Sequence, residues 1–451
     1  MRHLSIFLAA GLLTLACSAT FAQTYTPSED NVRNREEFAR ERFGIFIHWG
    51  IYSTYAQGEW YLNTGRLNKD VYAKAALGFY PAKYDPEAWV KAFKDAGAEY
   101  VTITSRHHDG FSMFDTDASD YNIVDDTPWG KDVIRGLADA CHSQNFHLHF
   151  YYSLLDWMRE DYPLGRTGQY TGRRTDRQNY ASYYAFMQKQ IKELLTKYAP
   201  VRALWFDGYW DHDSDAAPFD WKMPELYEYI HGIQSGCLVG NNHHIATIEG
   251  EDFQMFEQDL PGQNTTGFAP NQVVSTIMPL EMCMTMNNSW GYDVRDNSYK
   301  SVSRIIQTLA TAVSLNSNLL LNIGPMADGE LPQPALDRLA GIGKWMKVNS
   351  RSIKGCGPGP VSKQEWGVTT APTGNSKVFY LHFFKKPGSK LLIPVGRKDK
   401  IKSVVALSDN SNLSYRKEGE VLTIDLPAQL PVSSGDLDPA GADYVVEVTF
   451  K

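Results

Sequence analysis

ALWFDG, residues 203–208, is a run of four apolar residues that stops on an aspartate and a glycine. So short and apolar a stretch reads as a strand buried on both faces, as in a parallel sheet covered by helices. Working outward, seven further stretches share this character. FGIFIHWG (43–50), EYVTITSRHHDG (99–110) and FHLHFYYSL (146–154) precede it. CLVGNN (237–242), DFQMFE (252–257), EMCMTMN (281–287) and NLLLNIGP (318–325) follow. Amphipathic helices separate many of them. One opens with Asp85 as N-cap and Pro86 in its first turn, carries Trp89, Phe93 and Ala96 on one face, and stops at Gly97. Residues 177–198 and 300–315 show the same apolar spacing. Strands alternating with helices pair in parallel through crossovers, and eight of them predict closure into a (β/α)8-type barrel. No long helical pattern occupies 238–290, so the barrel is expected to be irregular there. Residues 261–272, rich in Gly, Asn, Thr and Pro, are expected to form an exposed loop at its rim.

At 451 residues the chain exceeds what one core usually serves. GCGPGP (355–360) reads as a linker. Beyond it, KVFYLHFF (377–384), VVALSD (404–409), VLTIDL (421–426) and DYVVEVTF (443–450) alternate between turns with no helix among them, which predicts a small antiparallel β-sandwich. At the other end, Arg2 and His3 precede the apolar run Leu4 to Leu15, and Thr20-Phe21-Ala22 offers a cleavage site before Gln23. Leu15-Ala16-Cys17 is a rival site, with lipid attachment at Cys17. The expected organisation is therefore an export signal over 1–22, a catalytic barrel over 23–354 and a β-sandwich over 355–451, in an exported, periplasmic protein. Nothing after residue 23 is apolar for long enough to span a membrane. A formal net charge of -8 without a basic stripe argues against a nucleic-acid partner. Cys141, Cys237, Cys283 and Cys356 form no CxxC pair and suit buried thiols, or one adventitious bridge, better than a disulfide framework. Nothing in the sequence sets an oligomeric state.

Active sites of such barrels are built at the C-terminal ends of the strands. Here those ends are polar and chemically capable: His48-Trp49-Gly50, Arg106-His107-His108-Asp109-Gly110, Tyr151-Tyr152-Ser153 and Asp207-Gly208. Asp207 closes an otherwise apolar strand, and a carboxylate in such a place is costly unless paired or put to use. Gly208-Tyr209-Trp210 does not begin an amphipathic helix, so a capping role fits poorly. A retaining glycosidase needs a second carboxyl roughly 5–5.5 Å away. Glu257 closes the sixth strand among Phe253, Met255 and Phe256, surroundings that keep an acid protonated. Glu281 and Glu251 are its alternatives; Glu281 begins its strand and so falls at the far end of the barrel. His48, His107 and His108 raise the possibility of a metal-dependent hydrolase. Adjacent residues on a strand point to opposite faces, so His107 and His108 do not chelate together without a kink. Neutral imidazoles facing sugar hydroxyls suit the pattern better, and no metal or other cofactor is expected. Aromatic content of 13% is compatible with stacking walls, for which Trp49, Trp60, Trp205 and Trp290 are candidates. There is no P-loop, dinucleotide fingerprint or GxSxG elbow. A non-catalytic glycan-binding protein is the remaining rival.

Together these segments resemble the α-L-fucosidases of glycoside hydrolase family 29. The resemblance rests on FGIFIHWG (43–50), GEWY (58–61), HHDGF (107–111), YYSLLDW (151–157), LWFDG (204–208), SWGY (289–292) and LLLNIGPMADG (319–329), in order. It implies that Asp207 attacks the anomeric carbon and forms a covalent fucosyl-enzyme. It also implies that His48, Glu59, Trp60, His107, His108 and Tyr151 contact the fucose, while Trp205 and Trp290 wall it. The choice of Tyr151 over Tyr152 depends on strand register. In family members with a D-F-x-x-x-E strand end the Glu is the acid/base, which Asp252 to Glu257 matches. Two departures stand out. Arg106 replaces the Lys usual before the His pair. Asn241-Asn242-His243-His244 stands where an Arg often follows Asn-Asp, and His243 is the expected substitute. The implied partner is a fucosylated oligosaccharide or glycoconjugate.

Overall fold

The computed structural model describes residues 25–451. The expected export signal and Cys17 lie outside the described residues. All eight expected barrel strands form: β1 (Phe43–Ile47), β2 (Tyr100–Arg106), β3 (His147–Ser153), β4 (Ala203–Asp207), β5 (Leu238–Asn241), β6 (Gln254–Glu257), β7 (Leu280–Thr285) and β8 (Ser317–Ile323). They join one sheet in the order β5-β4-β3-β2-β1-β8-β7-β6, with each hydrogen-bonded pair parallel. Helices Pro86–Asp95, Val133–Ser143, Tyr180–Lys197, Met223–Ile233, Val302–Ser314 and Gln333–Asn349 follow β1, β2, β3, β4, β7 and β8. No helix follows β5 or β6, so the irregularity expected over 238–290 is present. The expected N-cap holds too: the Asp85 side chain accepts a hydrogen bond from Ala88 N.

The ends of the sheet, β5 and β6, meet without a regular ladder, and one side chain stands in for it. Asp252 N donates to Val239 O at 2.7 Å while Asp252 Oδ2 accepts from Val239 N at 2.7 Å. His231 and Arg35 satisfy the rest of this fully buried carboxylate. A buried charge needs that much company. The aspartate of the D-F-x-x-x-E stretch thus closes the barrel rather than serving chemistry.

Strand parity sorts the side chains. On β3, Tyr152 turns outward, where its hydroxyl donates to Gln190 of helix Tyr180–Lys197, and Tyr151 turns into the barrel. Phe38, from the helix Glu29–Glu41 ahead of β1, packs against Tyr100, His149 and Phe253 inside the barrel. Gly44 admits the Tyr100 ring there: a Cβ on residue 44 would sit 2.3 Å from ring carbons. Trp49, expected as a wall, is wholly buried against Phe79, Tyr84 and Trp89, outside the barrel lumen. Arg106 is also core, ion-paired with Asp156 and flanked by Tyr152 and Phe186.

The C-terminal region pairs β9 (Cys356–Pro358), β10 (Gly367–Pro372), β11 (Val378–Phe383), β13 (Ile401–Ala406) and β16 (Tyr444–Phe450) in one sheet, and β12 (Lys390–Pro394), β14 (Tyr415–Glu418) and β15 (Val421–Asp425) in a second. Every pairing is antiparallel. Leu381, Val446 and Val448 share a core with Leu391, Leu422 and Ile424 across the two sheets, as a sandwich requires. The run expected as a linker differs from expectation. Cys356–Pro358 is an edge strand on β10, and Arg42 Nε donates to Cys356 O at 2.5 Å. Prolines suit an edge, where one side of the backbone lacks a ladder partner. The four cysteines are free and buried, with no bridge among them.

Candidate active site

The upper ends of the strands open on a cavity of about 590 Å³. Its floor and walls come from inward-facing positions: Phe46 and His48 at the end of β1, His107 and His108 after β2, Tyr151 on β3, Trp205 and Asp207 on β4, Asn242 after β5 and Glu257 on β6. Loops add Glu59, Trp60, Trp210 and Trp290. Of the residues read from the sequence, Asp207, Glu257 and all the residues expected to contact or wall the sugar except Trp49 line this one cavity, His243 included.

Asp207 is the most heavily coordinated group. Tyr151 OH donates to Oδ2 at 3.0 Å, Trp210 Nε1 to Oδ1 at 3.2 Å and Asn242 Nδ2 to Oδ1 at 3.3 Å. Gly208, at φ +95, lets the chain turn away directly after it. Burial and the facing Glu257 push the Asp207 carboxyl up to about 6, against the pull of Tyr151, the Gly208 backbone and Trp210. The same Asn242 Nδ2 donates to Glu257 Oε2 at 2.8 Å. One amide thus reaches both carboxylates, so the bonded oxygens lie no farther apart than these two short distances together. That is less than the roughly 6.5–9.5 Å an inverting glycosidase uses and compatible with the retaining geometry.

The other acid/base candidates are placed elsewhere. Glu251 accepts from Tyr227 OH, Ile248 N and His243, which ties down the loop after β5. Glu281 sits deeper in the barrel, below the cavity, where Tyr100 OH and Trp205 Nε1 donate to its two oxygens at 2.6 and 3.0 Å. Neither lines the cavity.

Three imidazoles are held neutral. Burial pushes His48 down to about 3, and drives His107 and His108 well below the usual histidine range. The tautomers follow from neighbours. Asn322 Nδ2 donates to Trp290 O, so its Oδ1 accepts from His48 Nδ1–H at 2.7 Å and His48 Nε2 is left as an acceptor. Ser153 Oγ donates to Leu155 O and accepts from His108 Nδ1–H at 2.7 Å. His108 Nε2 is therefore also an acceptor, 3.5 Å from Asp207 Oδ2. Two lone pairs so close leave room for a hydroxyl hydrogen between them. His107 Nδ1 is buried without a partner, and its ring lies on Tyr151 with centroids 5.4 Å apart. Glu59 accepts from Gly291 N at 2.7 Å, and burial raises its carboxyl. Trp205 stacks on Tyr151, Trp60 on Trp210, and Trp290 leans on His48. Among the described residues no group of three or more His, Cys, Asp or Glu is arranged to hold a metal ion.

The region after β5 corrects one expectation. His243 has both nitrogens engaged, Nδ1 accepting from Ile245 N and Nε2 donating to Glu251, so it offers no polar atom to a ligand. Its neighbour His244, at φ +61, turns Nε2 to within 3.5 Å of Glu257 Oε2. The left-handed backbone at 244 breaks simple alternation and exchanges the two rings. Asn242 and Trp210 were not singled out in the sequence. Period-two counting from Leu238 through Gly240 finds Asn242; nothing local marks Trp210.

A model of the α-L-fucosidase family matches residues 12–351. The chain belongs to that family. A relative described as α-L-fucosidase from Dictyostelium discoideum is 28% identical over 96% of this chain and 96% of its own length. Among solved structures, α-L-fucosidase isoenzyme 1 from Paenibacillus thiaminolyticus is 34% identical, covers 94% of this chain and 100% of its own, and superposes with a TM-score of 0.80. The α-fucosidase of Thermotoga maritima, solved with a mechanism based inhibitor, is 26% identical over 94% of this chain and 100% of its own, with a TM-score of 0.72. The fucosidase fold of barrel and β-sandwich is therefore shared along nearly the whole chain, and the family 29 resemblance of the motifs stands.

Proposed function

We propose that the cavity is the active site of a retaining exo-α-L-fucosidase acting on fucosylated oligosaccharides or glycoconjugates, with Asp207 as nucleophile and Glu257 as acid/base. Family membership supports the reaction, and the amide of Asn242 spanning both carboxylates is the observation that carries the assignment. Asp207 collects three donors on its two oxygens, which hold it in place for attack, and Glu257 stands opposite it to serve the departing oxygen.

In the first displacement a carboxylate oxygen of Asp207 attacks the anomeric carbon. The bond to the glycosidic oxygen breaks, and that oxygen takes the Glu257 proton, leaving a fucosyl ester on Asp207. In the second, the Glu257 carboxylate removes a proton from water, the water oxygen attacks the same carbon, and Asp207 departs. Two inversions give net retention. The lone pairs of His48 Nε2 and His108 Nε2 accept sugar hydroxyls, Glu59 and His107 add polar contacts, and Trp60, Trp205 and Trp290 supply apolar walls. Rings already packed on one another need no reordering when the sugar arrives. The His-based metal reading and the glycan-binder reading find no comparable support.

Proton NMR of a fresh digest of a fucoside tests this: the α-anomer of fucose should accumulate before mutarotation. The β-anomer first, or no fucose at all, overturns it. On the strength of residues 1–22 we also place the protein outside the cytoplasm. Amino-terminal sequencing of the mature form should begin at Gln23, and a lipid-blocked Cys17 would replace that assignment.

A further inference from the structure

An acid that protonates the departing oxygen must stand beside it, so the leaving group rests against whatever continues the cavity past Glu257. There His244 lies 3.5 Å from Glu257, and its ring packs against Phe268 with centroids 5.7 Å apart. Phe268 and Ile245 both line the cavity yet are 52% and 42% exposed. Large apolar side chains held half in water at a polar pocket mouth mark a surface that receives a ligand. Both come from the stretch where the barrel lacks helices, so loops rather than helices shape this side. Elsewhere on the cavity wall, Arg166 lies over the Trp210 ring at 4.9 Å, with Asp213 also lining the cavity. Their charges offset, which leaves hydrogen-bonding groups but no net attraction for an ion.

We propose that Phe268 and Ile245 form the platform for the leaving group, and that it takes a neutral hexopyranose. The C–H face of that sugar lies on the Phe268 ring, with its hydroxyls toward Arg166 and Asp213. This rests on the fucosidase reading of the same site and adds what is attached to the fucose.

The test compares two substrates in the full-length protein. α-L-Fucosyl fluoride has a leaving group too small to reach Phe268 and needing no proton. The other is whichever α1,2-, α1,3-, α1,4- or α1,6-linked fucosyl-hexose disaccharide the parent cleaves best. In Phe268→Ala the ratio of kcat/KM for disaccharide over fluoride should fall roughly tenfold, and in Phe268→Tyr, which keeps the ring, it should stay within about twofold. An unchanged ratio in Phe268→Ala overturns the platform, as does an equal fall in Phe268→Tyr. Faster cleavage of a uronic-acid disaccharide than of its neutral counterpart overturns the choice of a neutral sugar. A parent inert toward fucosyl fluoride strikes the fucosidase reading itself.

Discussion

The barrel interior holds carboxyls at two depths, and their contrast separates a working acid from a buried one. Glu281 below the cavity and Asp207 at its edge are both pushed up by burial, to about 7 and about 6. Each receives well-formed hydrogen bonds from aromatic side chains. Glu281 is 1% exposed, has Tyr100 and Trp205 on its two oxygens and does not line the cavity. Asp207 keeps 13% of its side chain accessible and faces a second carboxyl across a cavity. A perturbed acid alone therefore says little; access and a second carboxyl opposite it carry the functional meaning.

The largest effect that sharpens this contrast is on Asp207. Asp207→Ala should lower kcat by on the order of 10⁴-fold or more, because it removes the atom that forms the covalent bond. Fucose binding should stay measurable by calorimetry; full activity in the variant would end the nucleophile assignment. The same site should cost stability. Between the ordinary aspartate range and about pH 6 the folded protein keeps a proton that the unfolded chain has lost, so stability falls as pH rises through that window. Asp207→Asn removes the penalty and should raise Tm near pH 7, by roughly 2–3 kcal/mol of stability, with the gain fading below about pH 4. An unchanged Tm at both pH values would show that its donors fully offset its burial.

Glu257→Gln should act next most strongly. Loss of the proton donor costs about 10²–10⁴-fold on disaccharides, whose leaving oxygen must be protonated, and far less on fucosyl fluoride in the first step. His48, held neutral down to about pH 3, contributes no pH dependence of its own above that pH. Equal losses on both substrates would make Glu257 a binding group and reopen the identity of the acid.

How much of this is legible in the sequence follows from what each segment does physically. The eight barrel strands are buried on both faces, so each stands out as an apolar run, and Asp207 and Glu257 stand out as the polar exceptions closing two of them. The edge strands are less visible. β14 reads Tyr-Arg-Lys-Glu and is mostly exposed, with no apolar face to betray it, and β9 hides in a Gly-Pro run because an edge tolerates prolines. In the site, Asn242 is recoverable by parity, whereas the exchange of His243 for His244 depends on one left-handed residue that composition does not announce. The closing role of Asp252 depends on a gap in the sheet, a property of the assembled barrel rather than of any segment.

The smallest effect on activity, and the sharpest use of the contrast, is Glu281→Gln. Glutamine keeps the shape and an oxygen to accept from Trp205 Nε1, while its amide turns a donor toward the Tyr100 hydroxyl. That hydroxyl then needs an acceptor. Asn318 Oδ1 is buried without a partner and belongs to a side chain that already interacts with Tyr100, so the network can reclose. Trp205 keeps its place in the cavity wall, and kcat/KM should stay within about threefold of the parent. Stability should move the other way: the folded protein holds the Glu281 proton up to about pH 7, so above that pH the parent carries a buried charge that the variant lacks. Tm at about pH 9 should rise by an amount corresponding to roughly 1–3 kcal/mol, and the gain should disappear below about pH 4. Two variants, Asp207→Asn and Glu281→Gln, would then gain stability for the same reason while only one loses catalysis. If Glu281→Gln instead lost activity as Glu257→Gln does, the deeper carboxyl would be part of the chemistry and depth in the barrel would no longer separate the two.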